Sequence, residues 1–173
     1  MARHYAAFYR RLSAPFRRHP YLATTLRVAN RVVEVVMYGA YLVMLAWSVW
    51  CGFRYGWPGV WPRLWRLVLI PGVGFVLLSF VRQRLNAPRP YEQWPISPLI
   101  AREKTGDSFP SRHVFSATVI AMAALWLDWR WGLPLLVLAF LLAFIRVVGG
   151  VHYPRDVVFG AICGLTVGSL LFL

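Results

Sequence analysis

Five apolar runs dominate this 173-residue chain and leave it few ways to fold. The most extreme reads LPLLVLAFLLAFI, residues 133–145. About 20 consecutive apolar residues span a bilayer as a helix. In hydrocarbon, only helices and closed barrels satisfy their own backbone groups. The runs fall at about 32–53, 61–81, 112–128, 131–148 and 156–173. Composition agrees: 59% of residues are hydrophobic and 14% charged, against roughly a quarter charged in soluble domains. The expected fold is an all-α integral membrane protein, a bundle of about five transmembrane helices. Residues 1–30 read as a basic interfacial segment and residues 31–173 as the transmembrane domain.

The first thirty residues interleave arginines with Tyr, Phe and Leu and hold no run long enough to span. No short apolar core with a small-residue cleavage site follows the charges, so a signal peptide is not expected. An amphipathic interfacial helix, broken near Pro15 and Pro20, is one reading and a disordered basic tail the other. The net charge of +13 comes from 19 basic and 6 acidic residues. Arginines flanking membrane helices at anionic lipid explain it, and no nucleic-acid partner is expected. Cys51 and Cys163 lie in apolar runs and read as small buried hydrophobes, not a disulfide. Pro71 with Gly72 and Gly74 predicts a kink in the second span. Gly160, Gly164 and Gly168 form a small-residue face on the last, suited to close helix packing.

Counting helices brings the unusual polar stretches together. The second span exits into the loop RQRLNAPRPYEQWPISPLIAREKTGDSFPSRH, and the third starts from it. The fourth exits and the fifth begins at RVVGGVHYPRD, residues 146–156. By alternation all of these lie at one face of the membrane. A charge in hydrocarbon costs about 2.5–3.5 kcal/mol on insertion scales, so such groups need a compensating role.

Three clusters meet there: Arg82 to Pro90, Phe109 to His113, and Arg146 to Asp156. Several guanidinium groups around one point suit a phosphate, because each donates paired hydrogen bonds. Ser111 is placed to cap the third span, whose first-turn N–H groups form an anion site. Pro154 reads as a first-turn proline of the fifth span. His152 and Asp156 are spaced i, i+4. The carboxylate can then accept from Nδ1–H of His152 and leave Nε2 as a nucleophile. Gly149 and Gly150 would let backbone approach a phosphate. His113 remains as the acid for a leaving oxygen. The HxxxD spacing also suits a metal, but the crowd of arginines opposes a divalent ion. No metal or other cofactor is expected. His4 and His19 are assigned no role.

These residues resemble the type 2 phosphatidic acid phosphatase (PAP2) family of membrane lipid phosphatases. Its three-part signature runs lysine, six residues, Arg-Pro; then Pro-Ser-Gly-His; then Ser-Arg, five residues, His, three residues, Asp. Arg82, Arg89 and Pro90 match the first part, Pro110, Ser111 and His113 the second, and Arg146, His152 and Asp156 the third. The resemblance implies a PAP2-like core and a phosphohistidine mechanism without metal. His152 would attack phosphorus while Asp156 holds its ring. Arg82, Arg89, Ser111 and Arg146 would bind phosphoryl oxygens, and His113 would protonate the leaving lipid alkoxide. Three positions depart from the pattern. Arg82 replaces lysine, Ile145 replaces serine, and Arg112 replaces glycine, bringing a further cation beside its backbone amide. The family usually has six membrane helices.

The expected activity is hydrolysis of a lipid phosphomonoester or diphosphate: phosphatidylglycerol phosphate, phosphatidate or a polyprenyl diphosphate. A lipid phosphotransferase and a non-catalytic lipid-phosphate carrier are the alternatives. Expected partners are the lipid phosphate and membrane lipids, with no obligate protein partner. Arg3, Arg10, Arg11, Arg17, Arg18, Arg27 and Arg31 share the site's face, while Arg54, Arg63, Arg66 and Arg130 lie opposite. The positive-inside rule then predicts a site on the cytoplasmic face of a bacterial inner membrane.

Overall fold

A computed structural model describes residues 2–101 and 105–173, with residues 2–4 by their backbone alone. Among the described residues seven helices follow in order: α1 Ala2–Arg18, α2 Pro20–Tyr55, α3 Trp57–Leu85, α4 Pro90–Gln93, α5 Arg112–Leu127, α6 Trp129–Val148 and α7 Pro154–Ser169. A 3₁₀ turn, Leu170–Phe172, ends the chain. Four of them, α2, α3, α6 and α7, are long and apolar enough to cross a membrane. Their outward residues are large and apolar, among them Val43, Val76, Val137 and Phe140, as a lipid-facing surface requires.

The expected five-helix bundle is present, but α5 differs from the others. Its 16 residues rise about 24 Å, short of a hydrocarbon core of about 30 Å. Nine of those residues are buried. Its neighbours enclose most of α5, and Leu127 at its end is exposed. One core cluster joins Val33 and Met37 of α2 to Ala117, Ile120 and Ala121 of α5 and to Ala139 and Leu142 of α6. On the other side α7 lies directly on α5. A Cβ at Gly160 would meet the Ser111 carbonyl oxygen at 2.6 Å, and one at Gly164 would meet Thr118 at 2.7 Å. The small-residue face therefore carries the α5–α7 contact.

The N-terminal region is more regular than its prolines predict. Helix α1 runs through Pro15 to Arg18, and the break comes only at His19, with Pro20 starting α2. Packing outweighs the proline here. Ala6, Tyr9 and Ser13 form a buried stripe at helical spacing. Leu12 and Phe16 pack beside Leu26, Ile100 and Val151. Helix α2 starts well before the first apolar run, and its 36 residues extend about 54 Å. Residue 30 lies inside it. Helix α3 likewise passes through Pro71 and reaches Leu85, so Arg82 sits in its last turn and not in a loop.

Candidate functional site

The start of α5, the last turns of α3 and α6, and the chain entering α7 meet at one end of the bundle, beside the inner flank of α2. The arginines of the first cluster tie two strands of the intervening loop together. Arg82 is buried and donates to the Pro110 carbonyl at 2.8 Å and to the Asp107 carbonyl. Arg89 is buried, and its Nε donates to the Gly106 carbonyl at 3.1 Å. Glu92 braces the same corner, accepting from the Arg89 amide at 2.6 Å and the Gly106 amide at 2.8 Å. Ser108 N–H donates to the Ala87 carbonyl at 2.8 Å. The loop before α5 is thus fixed to the loop after α3 by charge-assisted bonds, which are stronger than neutral ones.

His152 and Asp156 are both fully buried. Nδ1 of His152 faces Asp156 Oδ2 at 3.6 Å, an ion-pair distance and longer than the expected hydrogen bond. The closer partner is Ser108, whose Oγ donates to the same Oδ2 at 2.5 Å and lies 3.5 Å from His152 Nδ1. Tyr153 N–H also donates to Oδ2, at 3.0 Å, as the N-cap residue of α7. Asp156 is therefore oriented by its own helix start and by a loop serine. Burial pushes the His152 imidazole down to about 4; Asp156 opposes this, while Arg146 and Arg89 reinforce it. The ring is neutral at pH 7. Among the described residues its Nε2 is buried without a hydrogen-bond partner, and so is Oγ of Ser111.

A second pair faces this one. Arg146, buried in the last turn of α6, places NH2 3.2 Å from His113 Nδ1 and NH1 3.4 Å from Glu34 Oε1. Glu34 Oε1 also lies 3.8 Å from His113 Nε2 and accepts from Asn30 Nδ2 at 2.9 Å.

The remaining expected site residues take less direct positions. Ser111 occupies the N-cap position of α5, but its hydroxyl makes no capping bond; its amide donates to the Asp156 carbonyl at 2.8 Å, binding the two helix starts. The Arg112 guanidinium lies 5.3 Å above the Phe75 ring on α3, a cation–π arrangement. Gly150 has φ +77°, which explains a glycine, and its N–H donates to the Val147 carbonyl at 3.0 Å. The space a Cβ would need there is taken by the Tyr9 hydroxyl, 2.5 Å away. Gly149 is packed on Ile100 in the same way. Beside these loops an open groove of about 360 Å³ is lined by Tyr5, Phe8, Trp94 and Tyr153. Among the described residues, no three His, Cys, Asp or Glu side chains gather as a metal site would require.

Three residues have no place in the motif reading. Glu34 is visible as a carboxylate inside an apolar run, the same anomaly that marks the C-terminal cluster. Ser108 and Tyr9 carry no spacing signal, because each reaches the site through loop or tertiary geometry.

Comparison with known proteins places the chain in a family. The family model described as the PAP2 superfamily matches residues 63–173. Over 99 residues the chain is 34% identical to undecaprenyl-diphosphatase BcrC of Bacillus subtilis (strain 168), covering 57% of this chain and 51% of that protein. Over 65 residues it is 46% identical to decaprenylphosphoryl-5-phosphoribose phosphatase of Mycobacterium tuberculosis (strain ATCC 25618 / H37Rv), covering 37% of this chain and 35% of the relative. The chain thus spans about half or less of the curated relatives it matches. Among solved structures, Aquifex aeolicus LpxE superposes with a TM-score of 0.69 at 23% identity, over 96% of this chain and 93% of that one. A transmembrane PAP2-type phosphatidylglycerolphosphate phosphatase from Bacillus subtilis gives 0.55 at 23% identity, over 96% and 91%. At that identity the likeness is one of fold. The family match covers more than half of the chain and takes in all three clusters: this chain is an integral membrane member of the PAP2 superfamily.

Proposed function

We propose that the chain is a lipid phosphate phosphatase that works through a phosphohistidine on His152. The observation carrying this is a neutral, fully buried imidazole whose Nε2 has no hydrogen-bond partner among the described residues. Its surroundings, Arg89, Arg146, Asp156 and Ser108, are rich in cations and held in place. A nucleophile needs its lone pair unengaged, and a phosphoryl group needs fixed donors around it.

In the first step His152 Nε2 attacks phosphorus, forming the N–P bond as the P–O bond to the lipid breaks. Arg82, Arg89, Arg146, the Ser111 hydroxyl and the start of α5 stabilise the phosphoryl oxygens. The departing oxygen takes a proton from His113. In the second step water attacks phosphorus, His113 takes its proton, and the N–P bond breaks to release inorganic phosphate and neutral His152. Asp156 offsets the positive charge that develops on the ring. No step needs a metal.

The substrate is a lipid carrying a terminal phosphate. One relative is named for undecaprenyl diphosphate and the other for decaprenylphosphoryl-5-phosphoribose, so polyprenyl diphosphate stands beside phosphatidylglycerol phosphate and phosphatidate as a candidate. The arginine-rich α1 packs at the site's end of the bundle, Tyr9 donating to the Ser97 carbonyl. With the positive-inside rule this favours a cytoplasmic site in a bacterial inner membrane.

The test is phosphate release in detergent from these three lipid classes with EDTA present. At least one is expected to be hydrolysed, with His152→Ala abolishing the reaction. Release from none of them, or release that His152→Ala leaves intact, overturns the proposal. Radiolabelled phosphoryl appearing on a second lipid and not in water would make the protein a phosphotransferase.

A further inference from the structure

Glu34 is the one carboxylate of α2, set in the apolar stretch VVEVV. Its neighbours Val32, Val35 and Val36 are exposed on the lipid side, whereas the Glu34 side chain is only 13% exposed. A carboxylate is held among such residues only against compensating partners. Those partners belong to the site: Arg146 NH1 at 3.4 Å, His113 Nε2 at 3.8 Å, and Asn30 Nδ2, which donates at 2.9 Å.

We propose that Glu34 is a positioning residue for His113, holding the imidazole that gives its proton to the departing lipid oxygen. This rests on the phosphatase reading above. The ring sits between two charges of opposite sign. Arg146 NH2 faces Nδ1 at 3.2 Å, and a guanidinium only donates, so Nδ1 accepts and the proton lies on Nε2, towards Glu34. With Nε2–H turned to Glu34, the nitrogen that serves the departing oxygen is Nδ1, which takes up its proton once Arg146 turns to the phosphoryl oxygens. The Glu34 carboxylate supplies the opposing charge on the far side of the ring. Asn30, one helical turn earlier, fixes the carboxylate oxygen that does so. The plainer role, a partner that only orders Arg146, predicts a different kinetic signature.

The experiment compares two leaving groups. One substrate is the best lipid phosphomonoester from the panel, whose alkoxide needs a proton to depart. The other is the phosphate monoester of a nitrophenol carrying a long alkyl chain on its ring, whose phenolate leaves without one. Glu34→Gln is expected to lower kcat/KM on the lipid phosphate, which reports phosphoryl transfer to His152 and not the later hydrolysis, about 10- to 100-fold, a fraction of the roughly 10²- to 10⁴-fold that general acid catalysis contributes. On the nitrophenyl ester it is expected to stay within about threefold on the same argument. Asn30→Ala should show the same split, smaller in size, and carries the test if Glu34→Gln does not accumulate. His113→Ala is the reference. If it lowers kcat/KM equally on both substrates, the assignment of His113 as the acid fails. If His113→Ala shows the split and the Glu34 and Asn30 variants do not, the Glu34 proposal is overturned. Equal losses on both substrates, or a rise in KM alone, would assign Glu34 to Arg146 and also overturn it.

Discussion

Ser108 Oγ lies 2.5 Å from Asp156 Oδ2, nearer than His152 Nδ1, which stands 3.6 Å from the same oxygen. The hydroxyl is also 3.5 Å from that Nδ1. It can accept from the imidazole N–H while donating to the carboxylate, so the ring is oriented through Ser108 as well as by Asp156. A hydrogen bond to a charged group contributes about 1.5–3 kcal/mol, and about 1.4 kcal/mol is tenfold in rate. Ser108→Ala is therefore expected to lower kcat about 10- to 100-fold with KM changed less than about twofold. Steady-state kinetics on a lipid phosphate check this. An unchanged kcat would mean that Asp156 orients His152 unaided.

The acid side of the pH profile follows from burial. Only the neutral imidazole of His152 is a nucleophile, and its value is lowered from 6.5 to about 4. Protonation therefore removes the nucleophile only as pH falls towards 4, not through the usual histidine range near 6.5. His152 should impose no acid limb on kcat/KM between pH 7 and 5. The profile of the free enzyme, recorded on the nitrophenyl ester to remove the demand for an acid, is the measurement. A limb near 6.5 that disappears in no other variant would show a solvated His152.

What was legible from the residues alone was whatever hydropathy and spacing encode. The five helices follow from the apolar runs, and their alternation brings Arg82, Ser111, His113, Arg146, His152 and Asp156 to one end without any coordinates. Helix ends were less legible. The run at 61–81 stops where arginines begin, yet α3 continues through Arg82 to Leu85, because a buried arginine bonded to Pro110 and Asp107 is satisfied inside the protein. Pro15 pointed to a break that the packing of Tyr9 and Ser13 overrides. Ser108 and Glu34 act through contacts 48 and 112 residues away in sequence, and no local pattern reports such pairs.

Sidedness can be tested at Thr105, an exposed residue in the loop before α5. In a variant with Cys51 and Cys163 replaced, Thr105→Cys is expected to resist an impermeant thiol reagent on intact cells and to react once the cells are opened. Labelling of intact cells would place the site on the outer face. The arginine bias between the two ends would then have failed as a guide to orientation.

The contact between Gly150 and Tyr9 tests whether α1 is part of the site's enclosure. Gly150→Ala meets two separate penalties. At φ +77° a side chain in the left-handed region costs about 1–2 kcal/mol. The new Cβ would also sit 2.5 Å from the Tyr9 hydroxyl, and overpacking of this kind costs about 1–3 kcal/mol. The single variant is expected to lower the unfolding temperature in detergent and to loosen α1, so that trypsin cleaves sooner at Arg10, Arg11, Arg17 or Arg18. Adding Tyr9→Ala removes the clash and leaves the backbone strain, so the double variant should lie between Gly150→Ala and wild type once the separate effect of Tyr9→Ala is subtracted. If the two substitutions combine additively, Tyr9 does not press on Gly150, and α1 is not held against the loop that carries His152.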